Sequence, residues 1–306
     1  MIRFATLVLT MGITLPALAA DYIAVADQTV GNPRILVMDY SQKDWSVTNP
    51  AAVVWSWKPS DSGMGPEGWD LPNDARLRNN SMCGGQCMIT ASGYGLIAVI
   101  SYPSKEKKWS VNIGKQSNVH GIELLPDGNV AVAASTGGWV RIYAASQGPG
   151  SSTFAQYNLP DAHNVLWDPA RKVLWALGKN QLVQLNVGGT AASPTLTLLS
   201  STTLPDGSGH DLSPKYGDPN TLLLTTGSKT WTYNKTTQQA LIFQDVPGYK
   251  SINNQADGQI IETRPHPSCS QNTWCTDVVE FYSPTDSRTR RSAVIYRARI
   301  WNPDYQ

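Results

Sequence analysis

A repeated pattern constrains the fold of this chain more than any other feature. Segments that begin at His120, His163 and His210 each open with a strand-like run, pass through a polar or proline-containing turn and continue into an apolar strand. A weaker copy begins at Lys250, and a last one begins at 296–297 and stops at the C-terminus. Positions 120, 163, 210, 250 and 297 lie 43, 47, 40 and 47 residues apart. A period of about 40–50 residues with several strands per repeat predicts the blades of a β-propeller.

The two ends of the chain predict the number of blades. Runs at 22–26, 34–39 and 52–57 look like the second, third and fourth strands of a blade that lacks its first strand. The run at 296–301 looks like a first strand without the other three. We therefore expect both ends to complete one blade of an all-β, six-bladed propeller, with residues 21–306 forming a single domain. The high content of Gly (25) and Pro (20) agrees with a fold rich in turns.

The N-terminus and the cysteines predict an exported protein. Residues 1–20 have the pattern of a secretory signal peptide, with Arg3 before an apolar run and small residues at 17 and 19. The four cysteines form two close pairs in the sequence, which predicts two local disulfides, although four cysteines allow three connectivities. A zinc site is the less favoured alternative. The pairs are Cys83 with Cys87 and Cys269 with Cys275.

Charge and hydropathy exclude two classes of partner. The chain has 24 Lys and Arg against 23 Asp and Glu, a formal net charge of +1, which argues against a nucleic-acid-binding protein. After the signal peptide, no apolar run reaches the ~18 residues of a membrane helix. We expect a secreted monomer that binds neither nucleic acid nor membrane.

A ring of basic side chains is predicted at the start of the first strand of every blade. In a propeller these strands line the central channel, so the side chains would converge in one funnel and call for an anionic ligand. The alternative is a structural role, in which the histidines only form hydrogen bonds with polar groups of a water-filled channel. The predicted ring consists of Arg76 or Arg78, His120, His163, His210, Lys250 and Arg297.

Two chemistries fit such a funnel. In one, His120, His163 and His210 ligate a divalent metal ion, although nearby cations would repel it. In the other, no metal is needed: a histidine (His163 or His120) is the base, while arginine and lysine hold the carboxylate of a uronic acid during β-elimination. Glycoside hydrolysis needs two carboxylates, and a second well-placed one is not evident. The sequence does not decide whether the protein uses one divalent metal ion or no cofactor.

Two tryptophans are candidates for stacking on a sugar at the rim of the funnel. Trp139 follows a Gly-Gly turn, and Trp274 lies in the long loop that contains Cys269 and Cys275. For each, a place in the core is an equally weighted alternative. We expect the other tryptophans of the repeats to be core residues.

Three segments carry a resemblance to a known family: 24–28 (AVADQ), 137–141 (GGWVR) and 301–306 (WNPDYQ). They resemble a secreted family of bacteria and fungi that has a six-bladed propeller and no assigned function. The architecture with channel histidines also looks like that of propeller polysaccharide lyases such as oligogalacturonate lyase. Those enzymes have a metal held by histidines and a basic catalytic residue, but their motifs do not match here residue by residue, so no role is transferred.

The sequence thus favours a secreted protein that acts on an anionic carbohydrate, by β-elimination. A non-catalytic module that binds polysaccharide or protein is the alternative from another class. A redox or lactone-hydrolysing propeller is a third hypothesis.

Overall fold

The computed structural model describes residues 22–304, which form six four-stranded antiparallel sheets. The sheets are the blades of a six-bladed β-propeller, as predicted. The predicted signal peptide, residues 1–20, lies outside the described residues.

The first blade is built from both ends of the described chain, in the order β24 (Ile295–Ile300), β1 (Tyr22–Asp27), β2 (Arg34–Asp39) and β3 (Val53–Trp57). Blade two contains β4 (Pro72–Asn80), β5 (Gly85–Ser92), β6 (Leu96–Ser101) and β7 (Lys107–Asn112). Blade three contains β8 (Val119–Leu124), β9 (Val130–Ala134), β10 (Trp139–Tyr143) and β11 (Phe154–Asn158).

Blade four contains β12 (Asn164–Asp168), β13 (Val173–Leu177), β14 (Gln181–Thr190) and β15 (Ser193–Thr203). Blade five contains β16 (Asp211–Pro214), β17 (Thr221–Thr225), β18 (Thr230–Asn234) and β19 (Gln239–Gln244). Blade six contains β20 (Ser251–Asn254), β21 (Ile260–Thr263), β22 (Val278–Tyr282) and β23 (Asp286–Thr289). Short 3-10 helices lie at Pro50–Ala52, Pro59–Ser62, Ser81–Cys83, Lys115–Ser117 and Ala145–Gln147.

Burial along each blade explains the composition of its strands. The second strands are packed between neighbouring blades on both faces, so they are largely apolar. β9 (VAVAA) and β13 (VLWAL) are buried at every position. The outermost strands face solvent on one side, and β11 accordingly alternates between exposed and half-buried residues. Apolar clusters fill the spaces between adjacent blades, so the core is a ring of interfaces.

The C-terminal strand closes the ring. β24 pairs antiparallel with β1, with Ile23 opposite Ile300 and Val25 opposite Ala298. This confirms the predicted closure of one blade by both ends. Because β24 is the innermost strand of that blade, it also carries its side chains into the central channel.

Both predicted disulfides are present. Cys83–Cys87 closes the hairpin between β4 and β5, and Cys269–Cys275 closes the loop between β21 and β22. They indicate an oxidising, extracellular-type environment. Among residues 22–304, no helix is long and apolar enough to span a membrane.

The middle of the channel is filled by a buried charge cluster, which we define as four arginines and three carboxylates. Arg299 bridges two blades by bonding both oxygens of Asp211, at 2.6 and 2.7 Å, and Asp74 at 2.8 Å. Burial would raise the pKa of Asp74, but Arg299 and other arginines outweigh it and hold that pKa well below its usual range. The charge cluster consists of Asp74, Arg76, Arg78, Glu123, Asp211, Arg297 and Arg299.

Removing Arg299 should strongly destabilise the ring. Arg299→Met leaves two fully buried carboxylates without their main partner, so we expect the free energy of unfolding to fall by about 3–5 kcal/mol. Chemical denaturation measures the change. Arg34→Met, which removes a partly exposed partner of Asp27, is the control and should cost less. A loss below about 1 kcal/mol for Arg299→Met would show that the charge cluster does not hold the blades together.

Candidate functional site

One residue from each blade forms a ring at the mouth of the channel. Three of these residues, His163, His210 and Lys250, come directly before the first strand of their blade. Their backbone N–H groups donate to the carbonyl oxygen of the last residue of the second strand, at 2.7–2.8 Å. In the other three blades the first strand has a register shift at this point. The mouth ring consists of Asn73, His120, His163, His210, Lys250 and Tyr296.

The predicted ring is therefore corrected in two blades. Asn73 takes the place predicted for Arg76 or Arg78, and Tyr296 takes the place predicted for Arg297. The physical reason is the unequal length of the blades. Asn73 lies 47 residues before His120, whereas a step of 43 residues, the spacing of His120 and His163, falls at position 77 between the two arginines. In blade one the ring residue lies one position before Arg297. A spacing count with one fixed period cannot locate the first strand of a blade whose length differs.

The three histidines are brought together as predicted. The ring centroids of His120 and His163 are 4.4 Å apart, and those of His163 and His210 are 4.6 Å apart. The hydroxyl of Tyr296 lies between the outer two, 3.0 Å from His120 Nδ1 and 3.0 Å from His210 Nε2. His163 Nδ1 instead lies 3.0 Å from the carbonyl oxygen of Asp161.

Arg297 forms a floor beneath the histidines. Its guanidinium donates to the carbonyl oxygens of His120 at 2.6 Å, His210 at 2.8 Å and Lys250 at 3.2 Å. Gly121 permits the close approach of blades here, because a Cβ at this position would come within 2.7 Å of the Asn164 Cα. The Arg297 side chain thus holds the mouth ring by hydrogen bonds to the backbone of its residues, and these bonds engage its donors within the protein.

Above this floor lies a cavity of about 240 Å³ on the ring axis. Its walls come from the mouth ring and from loops of blades one, two, three and six. Among residues 22–304, no carboxylate lies within 4.0 Å of Lys250 Nζ, whereas the arginines of the charge cluster all have acidic partners. The cavity is lined by Gln28, Leu71, Asn73, Asn118, His120, His210, Lys250, Trp274 and Tyr296.

Burial and like charge keep the cavity histidines neutral. Burial first, then the neighbouring His163, hold the pKa of His120 and of His210 well below 6.5. Burial, with a contribution from Arg297, also lowers the pKa of Lys250. Burial raises the pKa of the Tyr296 hydroxyl to about 12. The site therefore combines neutral imidazoles with a cation that lacks a carboxylate partner.

The histidines do not fit the predicted divalent metal. Their rings pack against one another in tilted contacts, and two of the nitrogens face the Tyr296 hydroxyl. In the described part of the chain, no group of three or more His, Cys, Asp or Glu side chains is placed to hold a metal ion. This geometry corrects the expectation that His120, His163 and His210 act as metal ligands.

The remaining predicted residues divide between the cavity and the interior. Arg76 and Arg78 lie deeper in the channel, where both bond the carboxylate of Glu123 at 2.9 Å. Trp139 is buried in the core between blades two and three, and Arg141 stacks on its ring. Trp274 is 37% exposed and lines the cavity.

Sequence reasoning missed Tyr296 and the amide residues of the cavity. Gln28 connects three parts of the wall: its amide nitrogen donates to Asn73 Oδ1 at 2.9 Å, and its amide oxygen accepts from Trp274 Nε1 at 3.1 Å. Tyr296 stands beside the predicted Arg297, so the repeat alignment was one residue from identifying it. Gln28 ends the 24–28 segment that carries the family resemblance, but neither its sequence context nor that of Asn118 marked it as a site residue.

The neutral histidines predict how stability depends on pH. In the unfolded chain histidine takes up a proton near pH 6.5, whereas in the fold His120 and His210 take it up only at lower pH. Stability is therefore highest above about pH 6.5 and should fall toward pH 5, by up to about 1.4 kcal/mol per pH unit for each group. His210→Gln should reduce this slope in denaturant titrations. An equal slope in wild type and variant would contradict the assignment.

Comparison with known proteins supports the fold and supplies no activity. No curated protein matches the sequence. A protein of unknown function from Bacteroides caccae is similar in structure, with a TM-score of 0.55 and 11% identity over 86% of this chain and 89% of that one.

Dihydro-heme d1 dehydrogenase NirN, solved in complex with DHE, has a TM-score of 0.50 and 12% identity. The match covers 88% of this chain but only 52% of that one. At such identities the likeness concerns the fold alone. A family profile matches residues 19–300, and the chain belongs to the family of unknown function DUF6528.

Proposed function

We propose that the chain is an exported protein that binds a uronic acid unit in the cavity and cleaves its glycosidic bond by β-elimination. The observation that carries the proposal is the surroundings of Lys250: a cation in a small cavity, without a carboxylate partner in residues 22–304, beside neutral histidines and a tyrosine hydroxyl.

The charge of the site favours an anionic group. Burial lowers the pKa of Lys250, which means that its charged form is poorly solvated within the protein. A carboxylate beside the amine would restore the lost interactions through a charge-assisted hydrogen bond. The deeper arginines cannot serve this ligand, because Arg297 bonds backbone carbonyls and Arg299 bonds Asp74 and Asp211.

The size and lining of the cavity favour one sugar unit. Its volume of about 240 Å³ is below the ~300–1,000 Å³ of pockets for larger ligands. Trp274 and Leu71 supply apolar surface, while the amides of Gln28, Asn73 and Asn118 supply polar groups. Such a combination of one aromatic wall and several amides is suited to a pyranose ring with its hydroxyl groups.

The chemistry follows from the protonation states. β-Elimination removes the proton next to the carboxylate, and the electron pair of that C–H bond expels the oxygen at the β-carbon. A neutral His120 or His210 can accept this proton. Lys250 stabilises the negative charge that develops on the carboxylate. Since His163 does not line the cavity, we assign the base to the other two histidines.

Hydrolysis by two carboxylates is disfavoured by the same geometry. Asp74 and Asp211 are fully buried and engaged by Arg299, so neither reaches the cavity as a free acid or base. Binding without catalysis, as in a carbohydrate-recognition module, is distinguished by the experiment below.

Replacing Lys250 tests the ligand class. Lys250→Met should weaken binding of galacturonate or glucuronate about 10- to 100-fold, because one charge-assisted hydrogen bond of about 1.5–3 kcal/mol is lost. Calorimetric titration measures the affinities. Lys43→Met removes the same charge from an exposed surface site and should leave binding unchanged.

Activity is then measured on polysaccharides rich in uronic acids by the ultraviolet absorbance of the unsaturated product. Wild type should form this product, and Lys250→Met should form it far more slowly. Binding that depends on Lys250 without any product would make the protein a binding module. Equal affinity of the wild type and Lys250→Met for both uronates would overturn the proposal.

A further inference from the structure

The position of the Tyr296 hydroxyl carries an inference beyond the binding of an acidic sugar. Its oxygen lies 3.0 Å from one ring nitrogen of His120 and 3.0 Å from one ring nitrogen of His210. A hydroxyl has a single proton, so it can donate to only one of two neutral imidazoles and must accept from the other. The three side chains then form a directed chain of hydrogen bonds from blade three, through blade one, to blade five.

We propose that Tyr296 relays a proton between His120 and His210. This inference rests on the proposed function, in which one group must take a proton from the sugar and another must return one to the leaving oxygen. Both histidines line the cavity together with Tyr296. His163 stands outside the relay, because its Nδ1 faces the Asp161 carbonyl oxygen.

The relay balances in protons and charge. At the start, His120 and His210 each carry their proton on Nδ1, and the hydroxyl accepts from His120 and donates to His210. His120 Nε2 takes the proton from the carbon next to the carboxylate. Its Nδ1 proton passes to Tyr296 Oη as the hydroxyl proton passes to His210 Nε2. The Nδ1 proton of His210 then goes to the oxygen released from the β-carbon.

The end state is neutral, with the protons of both imidazoles now on Nε2. Tyr296 never carries a charge, because it gains one proton as it loses the other. That suits a hydroxyl whose pKa burial raises to about 12, since the free phenolate would be unfavourable here. Arg297 holds the backbone of both histidines, which fixes the ends of the relay.

The relay makes a prediction that needs no substrate. In either direction of the chain, His120 and His210 must be the same tautomer, both protonated on Nδ1 or both on Nε2. Nitrogen-15 NMR of the histidines in the full protein reads this directly. Tyr296→Phe removes the hydroxyl and should uncouple the two tautomers. Tyr143→Phe, at a buried tyrosine that bonds Arg141 in the core, should leave them unchanged. Opposite tautomers in the wild type would overturn the relay.

A second measurement separates the relay from a structural role of the tyrosine. On a uronic-acid polymer that wild type cleaves, Tyr296→Phe should lower kcat by about 100-fold or more while KM changes little. Tyr143→Phe should keep both constants. A Tyr296→Phe variant with wild-type kcat would refute the relay and leave β-elimination intact. If wild type cleaves no such polymer, the proposed function fails, and the tautomers still decide the relay.

Discussion

The pairing of the C-terminal strand β24 with β1 is the constraint on which the rest of the structure depends. It closes the ring, because it supplies the innermost strand that blade one otherwise lacks. The same strand carries Tyr296, Arg297 and Arg299 toward the axis, where they contact residues of blades two to six. Ring closure and assembly of the candidate site are therefore one event: without β24, the carboxylates of Asp74 and Asp211 would lose their bridge, and the histidines would lose both floor and hydroxyl.

The channel is organised in two layers that differ in how charge is compensated. In the deeper layer, arginines and carboxylates neutralise one another and hold the blades together, at the desolvation cost that any buried ion pair carries. In the outer layer, burial lowers the pKa values of His120 and His210 and keeps both neutral, and Lys250 has no acidic partner among the described residues. The inner layer serves stability, and we propose that the outer layer, which offers a cation and neutral bases to a small cavity, serves the ligand.

The repeat pattern predicted much of this architecture, because the spacing of His120, His163 and His210 reports blade length directly. It also predicted that these histidines and Lys250 lie close together, as the structure has them. It failed where the length of a blade departs from the assumed spacing. Asn73 lies 47 residues before His120 and Tyr296 lies 46 residues after Lys250, so these two side chains stand at the mouth. Arg76, Arg78 and Arg297 follow them in the strands and lie further inward. Gln28 could not be found from its neighbours in sequence, since its role comes from contacts with Asn73 and Trp274, which are distant along the chain.

The central claim is that the cavity above Arg297 receives the carboxylate of an acidic sugar. The most direct test is a crystal structure of the protein with bound galacturonate or glucuronate. We expect the carboxylate at hydrogen-bond distance, about 2.7–3.2 Å, from Lys250 Nζ, with the sugar ring against Trp274 and next to His120 and His210. A sugar bound only at the outer rim, or with its carboxylate pointing away from Lys250, would contradict the account.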